Sequence, residues 1–251
     1  MLVSAGNLKI LRQRLNSTMH TQHILAKRLT IPSFSADDAD LHFELQPILS
    51  LDTRAPVGYE LLYRGIHPED WREIDAALLR YLTRVHLDLP MLFVNVSNEG
   101  LLREKDVHFV AASAKNRVIF ELSESINGVR LNKAITRRVN DLMSSGVSFA
   151  LDDFGAGRDG LDRLYSMSKA AAVKVDSAFL RLCMARPDAA KTLTFLLSQW
   201  RSNGIMSIAE GVETAQILDF AQEVGADMVQ GWHVDDLVGS TVLTPAIAQC
   251  A

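Results

Sequence analysis

Cysteine and long apolar runs are scarce in this 251-residue chain. Its two cysteines, Cys183 and Cys250, have neither metal-ligand spacing nor the number that a disulfide framework requires, which is typical of a reducing compartment. No run reaches the roughly 18 apolar residues of a membrane-spanning helix, and the N-terminus lacks the continuous apolar core of a secretion signal. We therefore expect a cytoplasmic protein without an integral membrane segment.

Positive charge is in the minority and unevenly distributed. The formal net charge is -4, yet residues 1–36 contain no Asp or Glu and five basic residues: Lys9, Arg12, Arg14, Lys27 and Arg28. The rest of the chain is therefore more acidic than the total indicates. An acidic body argues against general nucleic-acid binding and fits a carboxylate site that needs cations to accept a phosphate substrate.

Low-complexity tracts and internal repeats are also absent, which excludes solenoid and array architectures. A hydrophobic content of 48% with 22% charged residues is typical of a globular protein with a sizeable core. At this length an α/β barrel commonly forms a single domain.

Residues 1–40 are predicted to form a separate N-terminal element. Leu8, Leu11 and Leu15 recur at helical spacing among basic residues, before a break at residues 31–33. We interpret this segment as a basic extension or linker helix. A linker helix of this kind would connect the barrel to an upstream regulatory or protein partner. The alternative, a helix that itself binds a membrane surface or a partner, is less favoured because the apolar face is short.

From residue 41 to residue 251 the chain alternates short apolar runs with segments of helical period, the pattern of parallel βα units. Eight strands are predicted: Phe43–Leu49, Val57–Tyr63, Leu92–Val96, Val118–Leu122, Ser148–Leu151, Ala171–Val175, Met206–Ala209 and Met228–Trp232. Eight such strands favour a closed (β/α)8 barrel of the triosephosphate-isomerase (TIM) type. The link through residues 52–56 is too short for a crossover helix, so the first strand is expected to run antiparallel and to modify the barrel.

Four helices are predicted from apolar residues at helical spacing, and each of these stripes ends at or before a glycine or a polar turn. Their periodic residues are Ile74, Leu78, Leu82 and Val85; Leu131, Ile135, Val139 and Leu142; Leu193, Leu196, Leu197 and Trp200; and Ile217, Ala221 and Val224. One apolar stripe on each helix is what the outer ring of a barrel requires.

Asp152 and Asp153 end an apolar run and precede Gly155 and Gly157. Successive side chains of a strand point to opposite faces, so two adjacent carboxylates serve one site only where the strand ends and the backbone turns. Two anionic oxygen ligands beside a glycine-rich turn suit a pair of divalent metal ions. Ordinary turn chemistry is the competing interpretation, and the choice depends on whether the other strands supply further ligands.

Polar residues recur near the carboxyl ends of the strands, where barrels of this type place their chemistry. They are Glu60 with Arg64, Asn95, Glu121 with Glu124, Asp152 with Asp153, Lys174 with Asp176, Glu210 with Glu213, and Gln230. Taken singly, each of these residues is typical of a structural polar residue whose hydrogen bonds are satisfied. Lys174 taken singly is typical of a strand-end lysine whose ammonium group extends into water. Gathered at one mouth, these charges would be poorly solvated unless cations and a substrate organise them, so seven such strand ends predict a site.

Four oxygen ligands from four strands would form most of an octahedral Mg²⁺ or Mn²⁺ site: Glu60, Asn95, Glu121 and Asp152. Asp152 can bridge to a second ion held also by Asp153 and Glu210. Two ions roughly 3.5–4 Å apart activate water and neutralise an in-line phosphoryl transition state. A glycosidase is a weaker alternative, since adjacent Asp residues with Asn95 and Lys174 suit metals better than an acid and a nucleophile about 5 Å apart.

These residues fall in segments that resemble the EAL-domain family of cyclic di-GMP phosphodiesterases, over roughly Leu41 to Val238. The segments are Gln46-Pro47-Ile48, Glu60-Leu61-Leu62-Tyr63-Arg64, Asn95-Val96-Ser97, Glu121-Leu122-Ser123-Glu124, Asp152 to Gly155, Lys174-Val175-Asp176, Ala209 to Glu213, and Gln230-Gly231. The resemblance implies a modified TIM-type barrel that hydrolyses cyclic di-GMP to linear pGpG with two Mg²⁺ or Mn²⁺ ions per active site.

The resemblance also implies roles for single residues. The metal ligands would be Glu60, Asn95, Glu121, Asp152, Asp153 and Glu210. Lys174 would orient or polarise the attacking water, and Glu210 and Glu60 complete the catalytic set. Gln46 and Arg64 would hold the substrate with support from Gln230. Glu124 would anchor the loop that follows Asp153, which in the family couples dimerisation to metal binding, so a homodimer is expected.

Several positions depart from the family pattern. Leu61 replaces the Ala of the naming motif, and a larger apolar side chain at such a position can often be absorbed by repacking. The glycine-rich loop contains Arg158-Asp159, the segment 66–75 is shorter than the family's usual helix there, and residues 233–236 lack the Pro that commonly closes the last strand in the family. These departures fall in the regulatory loop and at the substrate rim, and they leave every predicted metal ligand in place. The function predicted is a phosphodiesterase; the alternative is a catalytically silent cyclic di-GMP sensor or protein-interaction module.

Overall fold

A computed structural model describes residues 29–36, 39–65, 71–122, 129–157 and 160–238. The strands in these residues are β1 (Leu29–Ala36), β2 (Ala39–Ser50), β3 (Pro56–Tyr63), β4 (Leu92–Asn95), β5 (Val118–Leu122), β6 (Ser148–Phe154), β7 (Ala172–Val175), β8 (Met206–Ala209) and β9 (Met228–Val229). The helices are α1 (Trp71–Arg84), α2 (Asn98–Arg103), α3 (Asp106–Asn116), α4 (Val129–Ser144), α5 (Gly160–Ser166), α6 (Ser177–Ala185), α7 (Pro187–Ser202), α8 (Ala215–Glu223) and α9 (Trp232–Val238). None of these helices is long and apolar enough to cross a membrane.

The strands β2 to β9 form a closed barrel. They neighbour one another in chain order, and the end of β2 pairs with β9 to close the ring. β2 runs antiparallel to both β3 and β9, whereas β3 to β9 are parallel to one another. The prediction of a modified TIM-type barrel with an antiparallel first strand is confirmed.

A ninth strand, β1, precedes the barrel and was not predicted. It pairs antiparallel with the first half of β2, from Leu29 opposite Leu45 to Ala36 opposite Ala39. The sequence placed residues 1–40 outside the barrel domain, but the backbone of β1 extends the sheet by hydrogen bonding to β2. The predicted amphipathic helix around Leu8 to Leu15 lies outside the described residues.

Two strands have carboxyl-terminal ends that differ from the prediction by more than one residue. β6 continues through Phe154, three residues beyond the predicted end. β9 stops at Val229, and Trp232 begins α9 instead of ending a strand. Gly231 causes this turn, since its φ is 149° and a Cβ there would lie 2.4 Å from the backbone nitrogen of Val212.

The helices cover the outside of the barrel with the stripes expected from the sequence. Ile74, Leu78 and Leu82 of α1 are buried, as are Trp200 of α7 and Ile217 of α8. These side chains belong to one large apolar cluster between the helices and the sheet. Burial of these faces is the main source of stability for an architecture of this kind.

A second, smaller apolar cluster fills the inside of the barrel and supports the site. Each barrel strand from β4 to β9 contributes one residue to it and β2 contributes another: Ile48, Phe93, Ile119, Ala150, Ala172, Ile208 and Met228. Because side chains alternate along a strand, the residue two positions nearer the carboxyl-terminal mouth points into the barrel as well. This inner layer therefore sets which residues line the mouth.

Candidate active site

A polar layer lies directly above the inner apolar layer. It consists of the residues two positions along from that layer, together with Glu60 of β3: Gln46, Asn95, Glu121, Asp152, Lys174, Glu210 and Gln230. β2 contributes through Gln46 because it runs in the opposite direction. The structure thus brings together nearly all of the site residues predicted from the sequence.

Lys174 lies at the centre of this layer. Its side chain is 1% exposed, and its Nζ lies 2.8–3.4 Å from oxygens of four carboxylates: Glu60, Glu121, Asp152 and Glu210. Burial acts to lower the pKa of Lys174, but the four carboxylates outweigh it and raise the pKa well above its ordinary value. Lys174 is therefore a permanent cation near neutral pH and can donate hydrogen bonds but cannot accept a proton.

The carboxylates divide into two kinds. Glu60 is held in its charged form: burial raises its pKa, yet Lys174 and a hydrogen bond from Gln230 bring it below the ordinary value. Burial raises the pKa of Glu121 well above its ordinary value and that of Glu210 to about 7. One ammonium cannot offset four ionised carboxylates, so burial and mutual repulsion favour the neutral forms of Glu121 and Glu210, and bound cations would favour their charged forms.

Glu60 is fixed by amide side chains as well as by Lys174. Asn95 donates through Nδ2 to Glu60 Oε1 at 2.8 Å, and Gln230 donates through Nε2 to Glu60 Oε2 at 2.6 Å. The same Gln230 Nε2 lies 3.0 Å from Gln46 Oε1. These bonds leave the carbonyl oxygen of Asn95 available as a ligand, because its nitrogen faces Glu60.

A β-bulge explains how two adjacent Asp residues serve one site. Leu151 pairs with Val173 and Phe154 pairs with Val175, so β6 contains one residue more than β7 over the same length. Asp153 takes up the extra length with a φ of 57°, in the left-handed region that Asp tolerates better than most residues. The strand continues through this irregularity, where the sequence predicted that it would end.

The turn after the bulge depends on Gly155. Its φ is 100°, and a Cβ at this position would lie 2.4 Å from the ring of Phe179 at the start of α6. Phe179 also packs edge-to-face against Phe154, with ring centroids 6.0 Å apart. Close packing of this glycine against α6 therefore positions the Asp152-Asp153 segment.

One group of carboxylates has the geometry of a cation site. Ligand oxygens of Asp152, Asp153 and Glu210 lie within 4.8 Å of one another. Nearby, Oε2 of Glu121 and Oε1 of Gln230 are buried with no hydrogen-bond partner among the described residues, and Oε1 of Glu121 and Oδ1 of Asp152 are buried against the one ammonium of Lys174, at 2.9 and 3.4 Å. Hard anionic oxygens that are close together and share a single cation fit a divalent metal ion better than they fit a dry core.

Arg64 lies at the rim, apart from the carboxylate cluster. Its Nε donates to Glu44 Oε2 at 2.9 Å. Glu124 and Arg158-Asp159 lie outside the described residues.

A cavity of about 230 Å³ opens beside the layer, lined by Gln46, Glu60, Glu210, Gly211, Glu213, Gln230, Gly231 and Trp232. Sequence reasoning missed Trp232, which was assigned to a strand, and Asp235, whose Oδ2 accepts from Gln46 Nε2 at 3.3 Å. Both residues closely follow the predicted site segment Gln230-Gly231, which is the one sequence feature that points to them. The sequence pattern does not show that a helix begins at Trp232 and turns these side chains toward the site.

Comparison with known proteins gives one family. Residues 73–235, well over half of the chain, match the model of a family described as EAL domain. The match begins after β3, so Gln46, Glu60 and Arg64 lie outside it and are linked to the site by geometry.

Among relatives, a probable cyclic di-GMP phosphodiesterase of Escherichia coli K12, PdeG, is 30% identical over 116 residues. That alignment covers 46% of this chain, which spans only 22% of the relative's length.

Two solved structures share the fold. A standalone EAL protein from Vibrio cholerae O395, solved with cyclic di-GMP bound, has a TM-score of 0.61 at 24% identity, over 79% of this chain and 92% of its own. BlrP1 of Klebsiella pneumoniae, in a complex with manganese and cyclic di-GMP at pH 6, has a TM-score of 0.65 at 22% identity, over 82% and 59%.

Proposed function

This chain belongs to the EAL domain family, and on that premise we propose that it hydrolyses cyclic di-GMP to linear pGpG and so lowers the level of this second messenger. The observation that carries the proposal is the polar layer around Lys174, in which four carboxylates converge on one buried ammonium. Burying four carboxylates and an ammonium costs free energy of desolvation, which a catalytic role explains and a purely structural role does not. The name of the E. coli relative supports the same substrate and reaction.

The residues present fit two divalent ions, Mg²⁺ or Mn²⁺. Glu60, Asn95, Glu121 and Asp152 would hold one ion, and Asp153 and Glu210 would join Asp152 in holding the other. Such ions, when bound, lower the pKa of water and neutralise charge on a phosphodiester. We choose Mn²⁺ for the first assay because one structural neighbour was solved with manganese.

The protein's own groups would divide the remaining work. Lys174 can only donate, so it would orient the attacking water and stabilise negative charge that develops on the phosphoryl oxygens. Glu210, whose pKa is raised by burial to about 7, is suited to accept a proton near neutral pH. Glu60 would keep Lys174 and Asn95 in place, while Gln46, Arg64 and Gln230 would hold the substrate.

The test is a direct assay of the purified chain. With Mg²⁺ or Mn²⁺ present, we expect cyclic di-GMP to be converted to pGpG, measured by chromatography of the nucleotides. Glu60→Ala and Asp152→Asn should abolish turnover without unfolding the barrel. Asp141→Asn, on the exposed side of α4, is the matched control and should retain full activity.

The alternative is a silent sensor or protein-interaction module, and the same assay decides between the two. Tight binding of cyclic di-GMP without pGpG over hours would favour the sensor. We further propose that the active form is a homodimer, which sedimentation of the purified chain would measure.

A further inference from the structure

Glu44 and Arg64 form an ion pair that the proposed chemistry does not use. Arg64 Nε lies 2.9 Å from Glu44 Oε2, and the Glu44 side chain is 3% exposed whereas that of Arg64 is 34% exposed. A carboxylate buried to this degree needs a cationic or hydrogen-bonding partner. The pair therefore has a buried end that is fixed and an outer end that faces solvent.

Strand register places this pair directly above the polar layer. Gln46 pairs with Glu60 across β2 and β3, and Glu44 pairs with Leu62 one step nearer the mouth. Glu44 and Gln46 are two residues apart, so their side chains lie on the same face of β2, roughly 7 Å apart along the strand. Arg64 follows Leu62 by two residues and continues the same face. The ion pair thus borders the opening above Glu60.

The geometry of the pair leaves Arg64 ready for a ligand. Within the described part of the chain, the contact with Glu44 engages only Nε of the guanidinium. The two Nη groups carry the remaining donors, which match phosphate oxygens or the acceptor edge of a purine base. An unrestrained Arg side chain loses much rotamer freedom when it binds a ligand. Because the buried carboxylate of Glu44 already restrains Arg64 in the folded protein, the entropy cost of binding a ligand is smaller.

We propose that Glu44 is a positioning residue for substrate recognition, which holds the guanidinium of Arg64 over the mouth so that its Nη groups meet cyclic di-GMP. This inference rests on the proposed function, because Arg64 is taken to contact the substrate. Glu44 acts through Arg64 and touches neither the reacting atoms nor the carboxylate cluster in this account.

Two replacements separate positioning from charge. Glu44→Leu removes both the acceptor and the charge but fills the buried space with a side chain of similar size, a change that buried ion pairs often tolerate in stability. Glu44→Gln removes the charge but keeps an oxygen that can accept from Nε. If Glu44 acts only by repelling the anionic substrate, both variants should bind more tightly and to the same extent.

The experiment measures kcat and KM for cyclic di-GMP with Mn²⁺. For Glu44→Leu we expect KM to rise roughly tenfold, the effect of weakening one charge-assisted hydrogen bond, while kcat changes less than about twofold. Glu44→Gln should fall between this variant and the wild type. In an Arg64→Ala background, Glu44→Leu should have no further effect, because the residue through which it acts is gone.

Arg201→Leu is the matched control. Arg201 Nε binds Asp227 Oδ1 at 2.6 Å at the opposite end of the barrel, so its loss should leave KM and kcat unchanged. An unchanged or lowered KM in Glu44→Leu, or an equal rise in the Arg64→Ala background, would overturn the proposal. Thermal unfolding of each variant shows whether the barrel is intact.

Binding measured by calorimetry separates this inference from the proposed function. If the wild type binds cyclic di-GMP without hydrolysing it, the proposed function fails, and a Kd that rises roughly tenfold in Glu44→Leu still supports the positioning role. If the wild type hydrolyses the substrate and Glu44→Leu is indistinguishable from it, the positioning role fails alone. A wild type that neither binds nor hydrolyses cyclic di-GMP overturns both.

Discussion

Replacing Lys174 with Met removes the ammonium group that four buried carboxylates share. Its Nζ lies 3.0 Å from Glu60, 2.9 Å from Glu121 and 2.8 Å from Glu210, with Asp152 at 3.4 Å. Met has a similar length and volume, so the substitution leaves the inner layer of the barrel filled. The variant therefore tests the charge rather than the packing.

The expected cost follows from the burial of the cluster. Removing one partner of a buried ion pair costs about 3–5 kcal/mol, because the remaining charge has no compensation. The pKa of Lys174 is raised above its ordinary value of 10.5, so its stabilisation is complete below that pH and is lost only in more alkaline solution. We expect Lys174→Met to lower the free energy of unfolding by about 3–5 kcal/mol at pH 8 in the presence of EDTA.

The pH dependence gives the sharper test. Without Lys174, the pKa values of Glu121 and Glu210, already raised by burial, should rise further, so these groups are neutral at pH 5. The difference in stability between wild type and variant should then be smaller at pH 5 than at pH 8, and Mn²⁺ should recover part of it at pH 8.

Urea unfolding followed by circular dichroism measures these differences, with the exposed Lys169→Met as control. Turnover should fall roughly 100-fold or more. A loss below about 1 kcal/mol at pH 8, or an equal loss at both pH values, would refute the view that Lys174 neutralises the cluster.

Two further predictions concern stability. Gly231→Ala should lower the free energy of unfolding by about 3 kcal/mol, because the added Cβ would lie 2.4 Å from the backbone nitrogen of Val212. Gly146→Ala is the control: the added Cβ would have no atom within 4 Å, so the same urea titration should show a loss of only about 1 kcal/mol. Asp75 has a pKa raised by burial to about 6, so the stability it contributes is present below about pH 4 and is lost as the pH rises through 6. Asp75→Asn should remove about 2–3 kcal/mol of the decline in unfolding free energy between pH 4 and pH 7; an unchanged pH profile would show that Asp75 titrates normally.

Much of the barrel was predictable because its strands are buried on both faces. Runs such as Val118–Leu122 and Ser148–Leu151 are apolar apart from Glu121 and Ser148, and helical stripes separate them, so local pattern and final environment agree. The site was predictable for a related reason. A residue such as Glu121 or Lys174 at the end of an apolar strand has no place in a dry core, so its presence indicates the mouth of the barrel.

Other features depend on partners distant in the chain. β1 contains Pro32, which weakens a strand signal, and its pairing is decided by the free edge of β2. The bulge at Asp152-Asp153 exists because β6 must keep register with β7 on both sides of it. Trp232 reads as the end of a strand until Gly231 is seen to turn against Val212.

The sequence by itself determined the order of strands and helices, the antiparallel first strand and the set of polar residues at the mouth. The order follows from apolar periodicity, the antiparallel strand from the short link through residues 52–56, and the polar set from its position at the ends of apolar runs. Only the tertiary structure decided that Lys174 is shared by four carboxylates, that Glu44 holds Arg64, and that a β-bulge in β6 brings both Asp side chains to one site. Those contacts join residues from different strands, and their energies depend on burial and register that no single segment of the chain contains.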